Sequence, residues 1–215
     1  MSKNRIPGSK PAQSKSAMQK LADRLPFELT MERAIVGGSI LGTILILIII
    51  SLVSIQKNYA ETRTIDGVQS FPGLVASHVN TVVNYPQTPP VGGAHNPVWQ
   101  TCGVYTEPIS NEHAVHSLEH GVVWITYQPD LPLDQVQTLQ DLTRRGTHRL
   151  LSPYPGIDSP IILTAWGYQL RVNDANDPRI GQFIEKYEEG PTTPELGASC
   201  AGGETRVLSQ LPNGF

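Results

Sequence analysis

Cysteine and methionine are scarce in this sequence, and each shortage limits the chemistry that the chain can perform. The two cysteines, Cys102 and Cys200, form no Cys-x-x-Cys motif, which excludes the dithiol redox chemistry that depends on that motif. The three methionines, Met1, Met18 and Met31, all precede a long apolar run, so the chain beyond that run offers no thioether ligand for soft metals.

Positive charge is scarce over much of the chain. Residues 1–33 carry seven Lys/Arg against three Asp/Glu, but after Arg63 the next cation is Arg144. Residues 58–215 contain eight Lys/Arg and sixteen Asp/Glu, which gives a net charge of −8. This balance argues against nucleic acid as a partner and favours the attraction of cations.

One long segment has no charge at all. Residues 34–55 are 22 uncharged positions dominated by Ile, Leu and Val, and as a helix they would span roughly 33 Å, enough to cross a bilayer. A cleaved signal peptide is the alternative, but its apolar region would be shorter and Ser54-Ile55-Gln56 lacks a small-x-small cleavage pattern. The positive-inside rule then predicts a single-pass protein of the cell membrane, with its N-terminus in the cytoplasm and residues 58–215 exported.

The rest of the chain predicts one folded domain with short extensions. We expect a largely disordered basic tail over 1–33, the transmembrane helix over 34–55, a stalk over 56–70, an exported domain over 71–205 and a C-terminal tail over 206–215. Residues 71–107 are rich in Pro and Gly but also contain large aromatic residues, which predicts an ordered collar rather than a linker.

Periodicity beyond the collar predicts alternating helices and strands. Helices are expected over 110–120 and 133–145 and from Asp177 to Gly190, and strands over 122–127, 149–151, 161–166 and 168–172. This order predicts a small α+β sandwich with a mixed or antiparallel sheet.

Histidine is concentrated in one part of the sequence. Five of the six histidines fall within residues 78–120, and the pentad 116–120 reads His-Ser-Leu-Glu-His. On a helix, His116 and His120 lie four residues apart on one face, which is a spacing suited to two ligands of one metal ion. A loop rich in Gly and Pro could add His95 as a third ligand, with Glu119 and, as a weaker candidate, His113 orienting the rings from behind.

The sequence around these histidines resembles that of a known family. Pro89-Pro90-Val91-Gly92-Gly93-Ala94-His95, Trp99, Cys102-Gly103-Val104-Tyr105 and the run from Ala114 to Val123 resemble the bacterial family known as domain of unknown function 3105, over about residues 58–205. The resemblance implies an anchored envelope protein with His95, His116, Glu119 and His120 as signature positions. It implies no activity.

Three interpretations of the histidine cluster are open from the sequence. The first is a bound transition metal, for which imidazole ligands suit zinc or copper. The second is a purely structural cluster of packed, hydrogen-bonded rings in a non-catalytic accessory subunit of a membrane or respiratory assembly, with the collar as its contact surface. The third is a metal-dependent hydrolase, because His-x-x-Glu-His matches the inverted zinc-peptidase pentad and Glu185, Glu188, Glu189 or Glu195 could supply its further ligand.

The two cysteines also have two interpretations. In an oxidising compartment Cys102 and Cys200 are expected to form a disulfide, whereas Cys102 as a soft metal ligand would leave Cys200 unpaired.

Overall fold

The computed structural model describes residues 31–62 and 64–212, so residues 1–30 of the predicted tail over 1–33, residue 63 and the last three residues lie outside the described chain. The chain divides into two compact units, residues 1–54 and 55–215, which are described separately.

The described residues of the first unit belong to a long apolar helix. Helix α1 (Met31–Thr62) contains the segment Ile35–Gln56, which is long and apolar enough to cross a membrane. Its Ile, Leu and Val side chains are exposed, whereas the hydroxyls of Ser39, Thr43 and Ser54 each donate to the carbonyl four residues earlier. An apolar surface with internally bonded hydroxyls is what a hydrocarbon environment requires.

The second unit is an α+β domain built on a mixed sheet of six strands, which agrees with the predicted α+β fold with a mixed or antiparallel sheet. The strands are β1 (Gln69–Ser70), β2 (Ser77–His78), β3 (Ala94–His95), β4 (Gly103–Val104), β5 (Val123–Tyr127), β6 (Arg149–Pro153), β7 (Ile161–Ala165) and β8 (Tyr168–Val172). Six of them form the sheet in the order β1-β8-β7-β5-β6-β4. The helices are α2 (Asn111–Glu119), α3 (Leu133–Arg144) and α4 (Pro178–Tyr187), followed by a 3₁₀ turn at Leu208–Gln210.

The pairing of the strands changes direction across the sheet. Strand β6 pairs in parallel with both β4 and β5, whereas β5, β7, β8 and β1 pair antiparallel in succession. Strands β2 and β3 form a separate parallel pair.

Alternation along the central strand divides the core between the two faces of the sheet. Val123 and Ile125 belong to a cluster that includes Leu139 of α3 and Phe183 of α4. Trp124 belongs to a second cluster with Val115 and Leu118 of α2, along with Trp166. Helix α2 therefore packs on the opposite face of the sheet from α3 and α4.

The short strands were not predicted from the sequence. Gln69–Ser70, at the end of the predicted stalk, pairs with β8, and the predicted collar contains β2, β3 and β4. Strands of two residues are too short for an apolar–polar alternation, so the residues carry no periodic signal.

Candidate metal centre

Helix α2 is short, buried along eight of its nine residues, and carries the pentad. Ser110 stands at its N-cap, but its hydroxyl makes no cap hydrogen bond and instead donates to the carboxylate of Glu112 at 2.9 Å. The helix ends at Glu119 with His120 as its C-cap, and Gly121 follows with φ +89°, a left-handed conformation that favours glycine.

The collar is attached to α2 by hydrogen bonds. The backbone N–H of Val83 donates to Glu112 Oε1 at 2.9 Å. The Ser117 hydroxyl donates to the Gln100 carbonyl at 2.8 Å, and the Gln100 N–H donates back to that hydroxyl at 3.0 Å. Because these groups are buried or half-buried, the bonds hold the collar residues in a fixed register beside the helix.

The histidine rings are oriented by backbone carbonyls. In four of them the Nδ1 atom lies within hydrogen-bond distance of a carbonyl oxygen: His95 with Gly93 (2.8 Å), His113 with Val98 (2.6 Å), His116 with Asn96 (2.7 Å) and His120 with Ser199 (2.8 Å). A carbonyl can only accept, so each Nδ1 carries the proton and, in the neutral ring, Nε2 carries the lone pair. This arrangement is typical of imidazoles that bind metal through Nε2.

His148, outside this region, is oriented the other way. Its Nε2 lies 3.1 Å from the carbonyl of Ala198, so that nitrogen donates and is not a free ligand atom.

Two overlapping groups of ligand atoms converge in the domain. The first, called here the His95 group, consists of His78, His95, His116 and Glu119, and the second, called the Glu195 group, consists of His116, His120 and Glu195. Within each group all the ligand atoms lie within 4.8 Å of one another, so each group could hold a metal ion. Both groups share His116.

Strand pairing brings His78 to the His95 group. The parallel pair of β2 and β3 places His78 beside His95 in register, and the His78 ring stacks on that of His116 with centroids 4.9 Å apart. His78 is exposed, whereas the other three members of the group are buried.

The closest contact in the His95 group joins His95 and Glu119. His95 Nε2 and Glu119 Oε2 lie 2.8 Å apart, with side chains 0% and 7% exposed. Despite this distance, neither atom has a hydrogen-bond partner in the described part of the chain. Two buried polar atoms without a partner are costly unless something else satisfies them.

Burial keeps His116 neutral. Its pKa is lowered to about 4, mainly by loss of solvent, and the nearby rings of His120, His95 and His78 lower it further, while the hydrogen bond to Asn96 opposes the change. A neutral imidazole is the form that binds metal ions.

The structure distributes the predicted site residues over both groups. His95 and His116 lie in the first group, where Glu119 is itself a potential ligand rather than only an orienting residue. His120 lies with His116 in the second group, and His113 belongs to neither group, its Nδ1 bonded to the Val98 carbonyl.

Two further residues of the groups were not among the predicted ligands. In the sequence, the only signal for His78 is its place in the histidine-rich segment. Glu195 stands out there only as one of four acids that could serve a peptidase.

The inverted zinc-peptidase pattern is only partly matched by the geometry. His116, His120 and Glu195 have the ligand types of that pattern. However, Glu119, the carboxylate that would activate water, has Oε2 within 2.8 Å of His95. That carboxylate therefore faces another histidine.

Cys102 and Cys200 lie at disulfide distance, with Cα atoms 5.4 Å apart. The Cys102 N–H also donates to the Cys200 carbonyl at 3.0 Å. Neither cysteine belongs to the two groups of ligand atoms found in the described chain. The pair joins the collar to the segment that contains Ser199, the carbonyl partner of His120.

These features define a class of protein: an α+β domain with a histidine-rich candidate metal centre, preceded in the chain by a helix that could span a membrane. The model of the family described as "Protein of unknown function (DUF3105)" matches residues 78–202, and the chain belongs to that family. The matched region contains every member of both groups and both cysteines. No curated protein and no solved structure matches the chain.

Proposed function

We propose that the protein is a single-pass membrane protein whose exported domain binds one transition metal ion, zinc or copper, at the His95 group. Three imidazole nitrogens and one carboxylate oxygen suit either metal, whereas Mg²⁺ and Ca²⁺ prefer oxygen ligands throughout. Both metals accept four ligands of this kind. For zinc, the distances to nitrogen and oxygen ligands are about 2.0–2.2 Å.

The contact between His95 and Glu119 is the observation that carries the proposal. Nε2, which carries the lone pair because Nδ1 donates to Gly93, lies 2.8 Å from the carboxylate oxygen, and both atoms are buried without a hydrogen-bond partner in the described chain. Two electron-rich atoms so close together repel each other unless a cation lies near both. A metal ion would satisfy both atoms at once and would use His116 and His78 as further ligands.

A proton is the competing occupant. If His95 were doubly protonated, it would form a buried ion pair with Glu119, which is the structural interpretation of the cluster. The metal is favoured because a buried ion pair of this type is normally hydrogen-bonded, whereas neither Nε2 nor Oε2 has a hydrogen-bond partner in the described chain.

The proposal also includes a membrane anchor and the export of the domain that follows it. The segment Ile35–Gln56 is long and apolar enough to span a membrane, and the excess of Lys and Arg over residues 1–33 supports a cytoplasmic N-terminus. The candidate metal centre would then lie outside the cytoplasm, where metal ions reach it directly.

Metal analysis of the full-length protein in detergent micelles tests the proposal. After removal of bound metal with a chelator, the protein is incubated with micromolar Zn²⁺ or Cu²⁺, and metal per chain is measured by mass spectrometry. We expect one tightly bound ion per chain. Zinc at a hundred times its dissociation constant should raise the free energy of unfolding by about 2.7 kcal/mol.

Variants of the His95 group should lose this ion. Glu119→Gln keeps the shape of the side chain but removes its charge, and His116→Ala removes an imidazole; we expect each to weaken binding at least about 100-fold. His148→Ala is the matched control, because that ring donates from Nε2 and belongs to neither group. If the wild-type protein takes up neither ion, the cluster is structural and the proposal is wrong.

A further inference from the structure

We propose that the Glu195 group is a capture position for the same ion, which the ion occupies before it moves to the His95 group. This inference rests on the proposed function. It adds the route by which the metal enters the site and assigns roles to His120 and Glu195, which the first group does not use.

Because the two positions share His116, one ion can occupy them only one after the other. The Nδ1–H of His116 donates a hydrogen bond to the carbonyl of Asn96, so only the Nε2 lone pair can bind metal. This lone pair binds one ion at a time. When an ion lies in the His95 group, the other group retains only His120 and Glu195. One tight ion per chain is therefore expected, even though two groups of ligand atoms are present.

Exposure and charge distinguish the two positions. The Glu195 side chain is 52% exposed, whereas that of Glu119 is 7% exposed. An exposed carboxylate attracts cations from solution, and the negative net charge of residues 58–215 strengthens this attraction. His78 is the exposed member of the other group, but an imidazole carries no negative charge and exerts no comparable attraction.

The capture position is held in place by the fold. The backbone N–H of Glu195 donates to the carbonyl of Glu119 at 3.0 Å, which attaches this part of the chain to the end of α2. The Nδ1–H of His120 donates a hydrogen bond to the carbonyl of Ser199, and Nε2 of the same ring lies 3.4 Å from Glu195 Oε2. Both ligands are thus oriented by backbone hydrogen bonds.

Transfer between the positions would be an exchange of ligands without change of charge or oxidation state. The ion would keep its bond to His116, release His120 and Glu195, and bind His95, Glu119 and His78. Because the shared imidazole remains bound, the ion never has to return to water on the way.

Loading kinetics distinguish capture from final binding. Two tryptophans report on the two positions: the Trp99 ring lies 4.9 Å from that of His120, and the Trp166 ring lies 6.0 Å from that of His95. Cu²⁺ added to the metal-free full-length protein in detergent should quench their fluorescence. Stopped-flow mixing gives the rate of loading, and competition with a chromophoric chelator gives the equilibrium affinity.

Four variants separate the roles. Glu195→Gln should slow loading about tenfold or more but leave the affinity of the tight ion within a few-fold of wild type. Glu119→Gln and His78→Ala should do the reverse, with loading at nearly the wild-type rate and affinity greatly reduced. Glu185→Gln is the control, because it removes one exposed negative charge from α4 and belongs to neither group.

The outcomes separate the two proposals. If Glu195→Gln loads as fast as Glu185→Gln, there is no capture position, although the metal site stands. If Glu195→Gln lowers the equilibrium affinity as much as Glu119→Gln does, Glu195 is a ligand of the final site and the two-position scheme is wrong. If the wild-type protein binds no ion at all, the proposed function itself fails.

Discussion

At the scale of single residues, the backbone decides what each imidazole can do. His116 and His148 are chemically identical side chains, yet a carbonyl lies at Nδ1 of the first and at Nε2 of the second. The first ring is left with a lone pair on its outer nitrogen, and the second is not. The number of histidines in a segment therefore matters less for metal binding than the nitrogen at which each ring donates.

This difference can be measured by nitrogen NMR of the metal-free, full-length protein in detergent. We expect the Nδ1 atoms of His95, His116 and His120 and the Nε2 atom of His148 to carry a proton, because carbonyl groups accept from those atoms. Two-bond couplings from the ring protons to each nitrogen distinguish the tautomers. An Nε2–H tautomer at His116 would contradict the ligand geometry described above.

At the scale of elements, the end of α2 determines how Glu195 approaches the helix. Gly121 has φ +89°, and a Cβ atom there would lie 2.9 Å from Thr193 Oγ1 and 3.0 Å from Glu189 Cα. The chain after α4 therefore packs directly against the turn at this glycine, and Glu195 follows two residues beyond Thr193. A side chain at position 121 would push this segment away from the helix.

Gly121→Ala is accordingly expected to destabilise the protein by more than the conformational cost alone. The left-handed backbone costs a non-glycine residue about 1–2 kcal/mol, and the clash with residues 189 and 193 adds to this. Gly156→Ala is the matched control, since that glycine has φ +80° and a Cβ atom added to it would meet nothing within 4 Å. Denaturant unfolding of both variants measures the difference, and equal losses would show that the segment does not pack tightly on Gly121.

At the scale of the whole molecule, a disulfide between residues distant in the chain would add to the stability that the hydrophobic core provides. Cys102 and Cys200 lie at disulfide distance across a separation of 98 residues. Linking them would restrict the unfolded chain and stabilise the fold by about 4–5 kcal/mol in the chain-entropy model. Such a bond persists only in an oxidising compartment, so it depends on export of the domain.

The direction of insertion is testable in cells. On the excess of Lys and Arg over residues 1–33, we expect the chain beyond Ile55 to lie outside the cytoplasm. Protease added to intact spheroplasts should then digest the C-terminal domain, while a cytoplasmic marker protein stays intact. Protection of the domain until the membrane is broken would reverse the proposed topology.

Sequence alone was sufficient for the features that depend on local pattern. The uncharged run over 34–55 predicted an apolar helix, and the structure has one of membrane-spanning length. Periodicity predicted the α+β class with a mixed or antiparallel sheet, and the sheet is mixed. The i, i+4 spacing likewise placed His116 and His120 on one short helix.

Tertiary structure decided which side chains meet. His78 reaches His95 through a two-residue strand pair, and Glu195 reaches His120 because its backbone bonds to the end of α2. Neither contact produces a periodic pattern in the sequence, since each joins residues that are distant in the chain. For the same reason, the helix pattern could show that Glu119 lies beside the histidines, but only the packing of the collar brings His95 Nε2 within 2.8 Å of its carboxylate.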